Sequence, residues 1–216
     1  MALEIIHHVI GPMQNNAYII FDNVTNEAAV IDPGMGSEIL VKEIKNLNLD
    51  LKSLLLTHAH FDHVACVDYL LREFDSQIEI GLHPDDLPLL INGAGAKEFG
   101  IDLNINFKPT LELHAGKFIH IGDDSLSVIH TPGHTPGHVT FYSKSLDAAF
   151  CGDLIFYHSI GRTDLKGSDF SKLMNSIKSE IFSLPPQTVL YNGHGPETTV
   201  KEEIANNPFL NKKSVE

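Results

Sequence analysis

Leu54-Leu55-Leu56-Thr57-His58-Ala59-His60-Phe61-Asp62-His63 is the stretch that decides how this chain folds and what it holds. The apolar run Leu51 to Leu56 reads as a strand. Beyond the histidines, Val67, Leu70, Leu71 and Phe74 recur at i, i+3, i+4 and i+7, the spacing of one helix face. Four side chains able to bind a metal therefore stand on a strand-to-helix junction. His58 and His60, two apart in an extended segment, point to the same side, whereas Asp62 and His63 are adjacent where the chain turns and can face apart. A catalytic zinc typically keeps three protein ligands and a water. Four ligands between His58 and His63 exceed that need, so two ions are expected.

Working outward, Leu3 to Ile10, Ala17 to Phe21 and Ala28 to Ile31 are short apolar segments separated by Asn and Gly, which predicts a meander of strands. Pro33-Gly34 ends the third, and Ser37 is placed to cap a helix with Leu40, Ile44 and Leu47 on one face. Further strands are expected at Ile78 to Leu82, Lys117 to Ile121, Leu126 to His130, Val139 to Tyr142, Ala148 to Phe150 and Thr188 to Tyr191. Ser168 is placed to cap a helix whose Phe170, Leu173, Met174, Ile177 and Ile181 share a face, and a last helix lies around Glu197 to Asn206. The stretch from His83 to about Asn106 resists assignment and reads as a surface insertion or lid. Strands followed by a covering helix in both halves imply an α/β sandwich of two sheets with helices outside, in one domain over residues 1–216.

Three more candidate ligands follow strands: His134 after Thr131-Pro132-Gly133, Asp153 after Cys151-Gly152, and His194 after Asn192-Gly193. In each, a glycine lets the backbone turn closely beneath a metal. His138, four residues past His134, is a second candidate on the same segment. The ordered set, HxHxDH at His58 to His63 and then His134, Asp153 and His194, resembles the metallo-β-lactamase superfamily over almost the whole chain. That resemblance implies an αββα sandwich of two mixed sheets with helices on the outer faces. It also implies His58, His60 and His134 on one metal, Asp62, His63 and His194 on a second, and Asp153 bridging. It makes His134 rather than His138 the ligand, and puts Asp32 beneath the site, orienting a ligand histidine. Cys151 is expected to be buried in the sheet. Zinc suits this nitrogen and oxygen set, and iron and manganese are also accepted by it.

The chain has 216 residues and a formal net charge of −13, which opposes binding to phosphate backbones or anionic membranes. Two divalent ions would reduce that to −9. Two cysteines cannot form a disulfide framework, and the N-terminal segment lacks the basic and apolar regions of a secretory leader, so a cytoplasmic protein is expected. Of the 13 histidines, His7, His8, His83, His114, His120, His130 and His158 carry no spacing that points to a ligand role.

A pair of Lewis acids lowers the pKa of bound water toward about 7, which makes hydrolysis by metal-bound hydroxide the default chemistry. Gly152-Asp153-Leu154-Ile155-Phe156, Gly161-Arg162-Thr163-Asp164-Leu165 and Asn207-Pro208-Phe209-Leu210 resemble the short members of the glyoxalase II (hydroxyacylglutathione hydrolase) branch. The resemblance implies a small thioester such as S-lactoylglutathione as substrate, with Asp62 orienting the nucleophile and Arg162 holding a substrate carboxylate. Only 22 residues follow His194, so the helical domain that supplies further glutathione contacts in longer members is not expected. Gly161-Arg162-Thr163-Asp164 is shared with persulfide dioxygenases, which bind one iron through two histidines and an aspartate. A mononuclear iron enzyme that oxidises glutathione persulfide is therefore the alternative.

Overall fold

The structure is a computed structural model that describes residues 3–74 and 77–211. The first sheet is formed by β1 (Leu3–Ile10), β2 (Asn15–Asp22), β3 (Glu27–Ile31), β4 (Asp50–Leu55), β5 (Glu79–Leu82) and β6 (Leu111–Glu112), side by side in chain order. β1 to β3 run antiparallel and β3 to β6 parallel, so the sheet is mixed. The second half adds β7 (Phe118–Ile121), β8 (Asp124–His130), β9 (Val139–Ser143) and β10 (Ala148–Gly152), then a small hairpin of β11 (Ile155–Phe156) and β12 (Ser159–Ile160), then β13 (Val189–Asn192) and β14 (Thr198–Thr199). The second sheet has the order β14-β13-β10-β9-β8-β7 and is also mixed, with β10 and β13 parallel.

Strand alternation builds the layers. Tyr18, Ile20, Ala29, Ile31 and Leu55 of the first sheet meet Leu126, Val128, Phe141 and Phe150 of the second in one buried core. On the opposite face Ile19, Val30 and Leu54 pack under α1 (Glu38–Asn46), through Leu40 and Ile44, and under α3 (Val67–Glu73), through Val67 and Leu70. The outer face of the second sheet, with Ala149, Cys151 and Leu190, is covered by Leu173 and Ile177 of α5 (Phe170–Ser179) and Val200 of α6 (Val200–Asn206). This is the αββα sandwich. Strands such as β2, buried along their whole length, serve two cores at once.

Local details depart from the sequence reading where capping geometry intervenes. Ser37 does not cap α1; its hydroxyl donates to the Gly34 carbonyl at 2.6 Å instead. Asp169, not Ser168, caps α5, because Asp169 has the extended backbone a cap requires and its Oδ1 accepts from the Lys172 N–H at 3.0 Å. Phe170 is exposed and Ile181 lies in the 3₁₀ turn Ile181–Ser183. The helix after the histidine loop is two pieces, α2 (Phe61–Val64) and α3, separated by a turn at Ala65 and Cys66. The unassigned stretch holds a 3₁₀ turn at Pro84–Asp86, α4 (Leu87–Ile91) and a 3₁₀ turn at Ala96–Phe99. Between the last two, Gly93, Ala94 and Gly95 are all left-handed, a coil no periodicity announces. It packs inward: Phe61 N–H donates to the Ala94 carbonyl at 2.9 Å, and the Phe61 and Phe99 rings lie 5.1 Å apart. Among the described residues, no helix is long and apolar enough to cross a membrane.

Candidate metal centre

All seven expected ligands meet at one edge of the sandwich. His58 and His60 follow β4, Asp62 and His63 begin α2, His134 follows β8, Asp153 follows β10 and His194 follows β13. β8, β10 and β13 run in the same direction, so their carboxyl ends open on the same edge. His58, His60 and His134 bring one ligand atom each within 4.8 Å of one another, and so do Asp62, His63 and His194. Asp153 stands between the groups. Its Oδ2 is 3.6 Å from His134 Nε2, while its Oδ1 is 3.3 Å from His63 Nε2 and 3.7 Å from His194 Nε2.

Hydrogen bonds behind the rings set which nitrogen faces the centre. His63 Nδ1 donates to Asp32 at 2.9 Å, His134 Nδ1 to the Arg162 carbonyl at 3.0 Å, and His194 Nδ1 to the Met13 carbonyl at 3.1 Å. Thr57 Oγ1 donates to Asp32 at 2.6 Å and so accepts from His58 Nδ1 at 3.0 Å. When neutral, each of these four rings carries its lone pair on an Nε2 aimed inward. His60 is the exception and presents Nδ1, 2.9 Å from His134 Nε2. His58 Nε2, His63 Nε2 and Asp153 Oδ1 are buried without any hydrogen-bond partner. Buried polar atoms are normally satisfied. Orphaned lone pairs converging in two groups around a shared carboxylate fit two divalent ions bound by imidazole and carboxylate.

The electrostatics differ between the two groups. Burial and the neighbouring imidazoles depress His58 well below the usual histidine range and push His60 down to about 3, which leaves both neutral and able to ligate. Burial alone would do the same to His63, but Asp62, Asp153 and Asp32 outweigh it and raise its pKa. Burial likewise works against charge on Asp153, and His63, His134 and His194 overcome it, so the carboxylate stays ionised.

The backbone beneath the centre is tight. A Cβ on Gly193 would strike Asp153 Oδ1 and the His63 ring, and Gly152, at φ +44°, would drive one into Thr57 Oγ1. Thr57 itself is held by Asp32, which accepts from its N–H at 2.8 Å as well as from its hydroxyl. Asn16 and Tyr18 of β2 reach across to the Asn192 carbonyl at 3.0 and 2.7 Å and anchor the loop that carries His194.

Sequence reading missed Asp86. This fully buried carboxylate accepts from the Ala59 N–H, between His58 and His60, at 3.0 Å. It also accepts from Thr135 Oγ1 at 2.7 Å and the Gly137 N–H at 2.6 Å, beside His134. One side chain thus ties the two loops that supply the His58, His60 and His134 group. Its partners lie 27, 49 and 51 residues away, so an acidic residue at the start of α4 looks like a helix cap until the fold is known.

Other candidates resolve simply. His138 stands behind His58, stacked at 5.3 Å, with Nδ1 against Thr131 Oγ1 at 2.9 Å. The Cys151 thiol is buried and pushed up far from reactivity by that burial. His83 and His130 stack face to face at 4.2 Å and 5°. Imidazole lone pairs lie in the ring plane, so these two cannot converge on one ion. The Arg162 guanidinium, exposed at the cavity rim, is gripped by both carboxylate oxygens of Asp164 at 2.7 and 2.8 Å, which holds Asp164 down to about 2. A cavity of about 370 Å³ opens over the centre, walled by Asp62, Asp153, His194, Phe99, Phe156 and Arg162.

The family model for the metallo-β-lactamase superfamily matches residues 10–194, which includes every one of these ligands. The chain belongs to the metallo-β-lactamase superfamily. Among its relatives in that superfamily is the hydroxyacylglutathione hydrolase GloC of Haemophilus influenzae, 36% identical across 99% of this chain and 100% of the relative. The BLEG-1 B3 metallo-β-lactamase superposes with a TM-score of 0.90 at 37% identity, over 96% of this chain and all of that one. TTHA1623, solved in a di-iron-bound form, does so with a TM-score of 0.85 at 39% identity, over 95% of this chain and all of that one. Family and ligand set together are those of a metal-dependent hydrolase.

Proposed function

We propose that the protein hydrolyses small thioesters, such as S-lactoylglutathione, at a dinuclear centre. The observation that carries this reading is the pair of three-residue ligand groups with Asp153 between them. Similarity to the hydroxyacylglutathione hydrolase over the full length of both chains supports the substrate class. Two divalent ions bound there would supply Lewis acidity, lowering the pKa of a water toward about 7 and polarising the thioester carbonyl. The chain's own residues do the rest. His58, His60 and His134 would hold one ion and Asp62, His63 and His194 the other, with the Asp153 carboxylate lying between the two groups. Asp62, whose Oδ2 lies 3.2 Å from His194 Nε2 on the cavity wall, orients the attacking water. Phe99 and Phe156 exclude solvent from the carbonyl. Arg162 exchanges Asp164 for a carboxylate on the thiol arm of the substrate.

Zinc suits the donor set, and the di-iron form of TTHA1623 makes iron the second metal to load. With a net charge of −13, the protein acts on a small molecule in the cytoplasm, with neither nucleic acid nor membrane as partner. The deciding experiment loads the protein with zinc or iron, counts metal per chain, and measures thiol release from S-lactoylglutathione beside oxygen uptake with glutathione persulfide. Two ions and thiol release are expected. One iron with oxygen uptake and no thiol release would replace this reading with the dioxygenase.

A further inference from the structure

The insertion between β5 and β6 walls a second cavity, of about 430 Å³, beside the one over the metal centre. The two share His60, Phe99 and Leu165, so they are rooms of one cleft that meet at a metal ligand. Gly95 brings the insertion directly over the ring of His60, where a Cβ would sit 3.5 Å from the imidazole edge. Pro88, Leu89, Phe99, Pro136 and Leu165 give the second room carbon walls. Its charged groups are Asp85, Glu98 and Lys166, all exposed, with the acids in excess. Arg162, the cation nearest the junction, is already held by Asp164. An anionic arm entering on the His60 side would meet net negative charge; an uncharged hydrocarbon arm would cover apolar wall and displace water from it.

We infer that this room binds the acyl arm of the substrate and that the arm it selects is an uncharged aliphatic chain longer than lactoyl. The inference rests on the thioester reading for which arm enters, but not for whether the room binds hydrocarbon. The residues lining the two rooms give the assignment: with the thiol arm held at Arg162 beside Phe156, the acyl arm, on the other side of the scissile carbonyl, extends past His60 under Leu89.

The test uses the metal-loaded protein and substrates that share one neutral thiol, N-acetylcysteamine, so that only the acyl arm changes. kcat/KM should rise from acetyl through butanoyl to hexanoyl by about two- to fourfold per added methylene. A non-hydrolysable pair, S-methyl- and S-hexyl-N-acetylcysteamine, gives the same comparison by calorimetry without turnover, and the hexyl compound should bind more tightly by at least about tenfold. Leu89→Asp puts a charge in the wall and should collapse the hexyl-to-methyl ratio toward one. Phe99→Ser, at a partly exposed position that also touches Phe61, should reduce it in protein whose circular dichroism and metal content match the wild type. Equal binding of the two thioethers by the wild type, or a ratio that both variants leave intact, overturns the inference. Preferential binding of the hexyl compound with no hydrolysis of any thioester leaves the hydrocarbon room standing and removes the thioester reading instead.

Discussion

The metal centre and the cleft above it are built in opposite ways. His58, His63 and His134 are almost fully buried, and the rings of His58, His63, His134 and His194 are each turned by a hydrogen bond from behind. The cleft is framed by exposed Phe99, Met13 and the Arg162–Asp164 pair, on loops and on an insertion with three consecutive left-handed residues. The candidate ligands sit on short loops at strand ends that are tied down from behind, whereas the residues around the cleft sit on exposed loops. Chemistry and specificity are therefore separable here, which mutation can test.

The largest effect is expected at the carboxylate between the two ligand groups. Asp153→Ala removes the atom facing both, and should weaken metal binding by more than about 100-fold, since even groups that merely support ligands are worth about 10- to 100-fold. Elemental analysis should find both positions depleted. Two ions retained in the variant would break the view of a single, shared centre.

Asp86→Asn tests whether the support beneath the ligands matters as the contrast demands. The amide keeps the shape of the side chain but turns an NH₂ toward one of the three donors that Asp86 now satisfies. Metal affinity should fall by about 10-fold or more, and the absorption bands of a cobalt-substituted sample should shift as the His58, His60 and His134 group loosens. An unchanged spectrum with lowered thermal stability would make Asp86 a fold residue only.

The smallest effect belongs to the cleft. Arg162→Ala should raise KM about three- to tenfold for a thioester with a distal carboxylate and leave kcat nearly unchanged. The effect is moderate because the guanidinium gives up Asp164 to bind substrate. Asp164→Asn, which frees it, should lower KM. Equal losses for substrates with and without the carboxylate would instead point to the Arg162 backbone, whose carbonyl holds His134.

Much of the site was legible because ligation needs particular residue types at strand ends, and HxHxDH with His134, Asp153 and His194 displays them in order. The layers were legible too, since the apolar segments of β2 and β10 need cover on both sides and the apolar faces of α1 and α5 supply it. Cap positions were not: Ser37 and Ser168 have the right chemistry, but their hydroxyls find the nearer carbonyls of Gly34 and Leu165.

The sequence by itself therefore named the candidate donor residues and the strand-and-helix alternation that brings them to one edge. Only the tertiary structure decided which nitrogen of each histidine faces inward, that Asp86 joins two metal-binding loops, that Arg162 is already paired, and that the insertion after β5 walls a second room. The physical reason is range. Periodicity and motif spacing report what a residue needs from its neighbours along the chain, whereas most of these contacts join segments far apart in sequence and exist only after both sheets have packed.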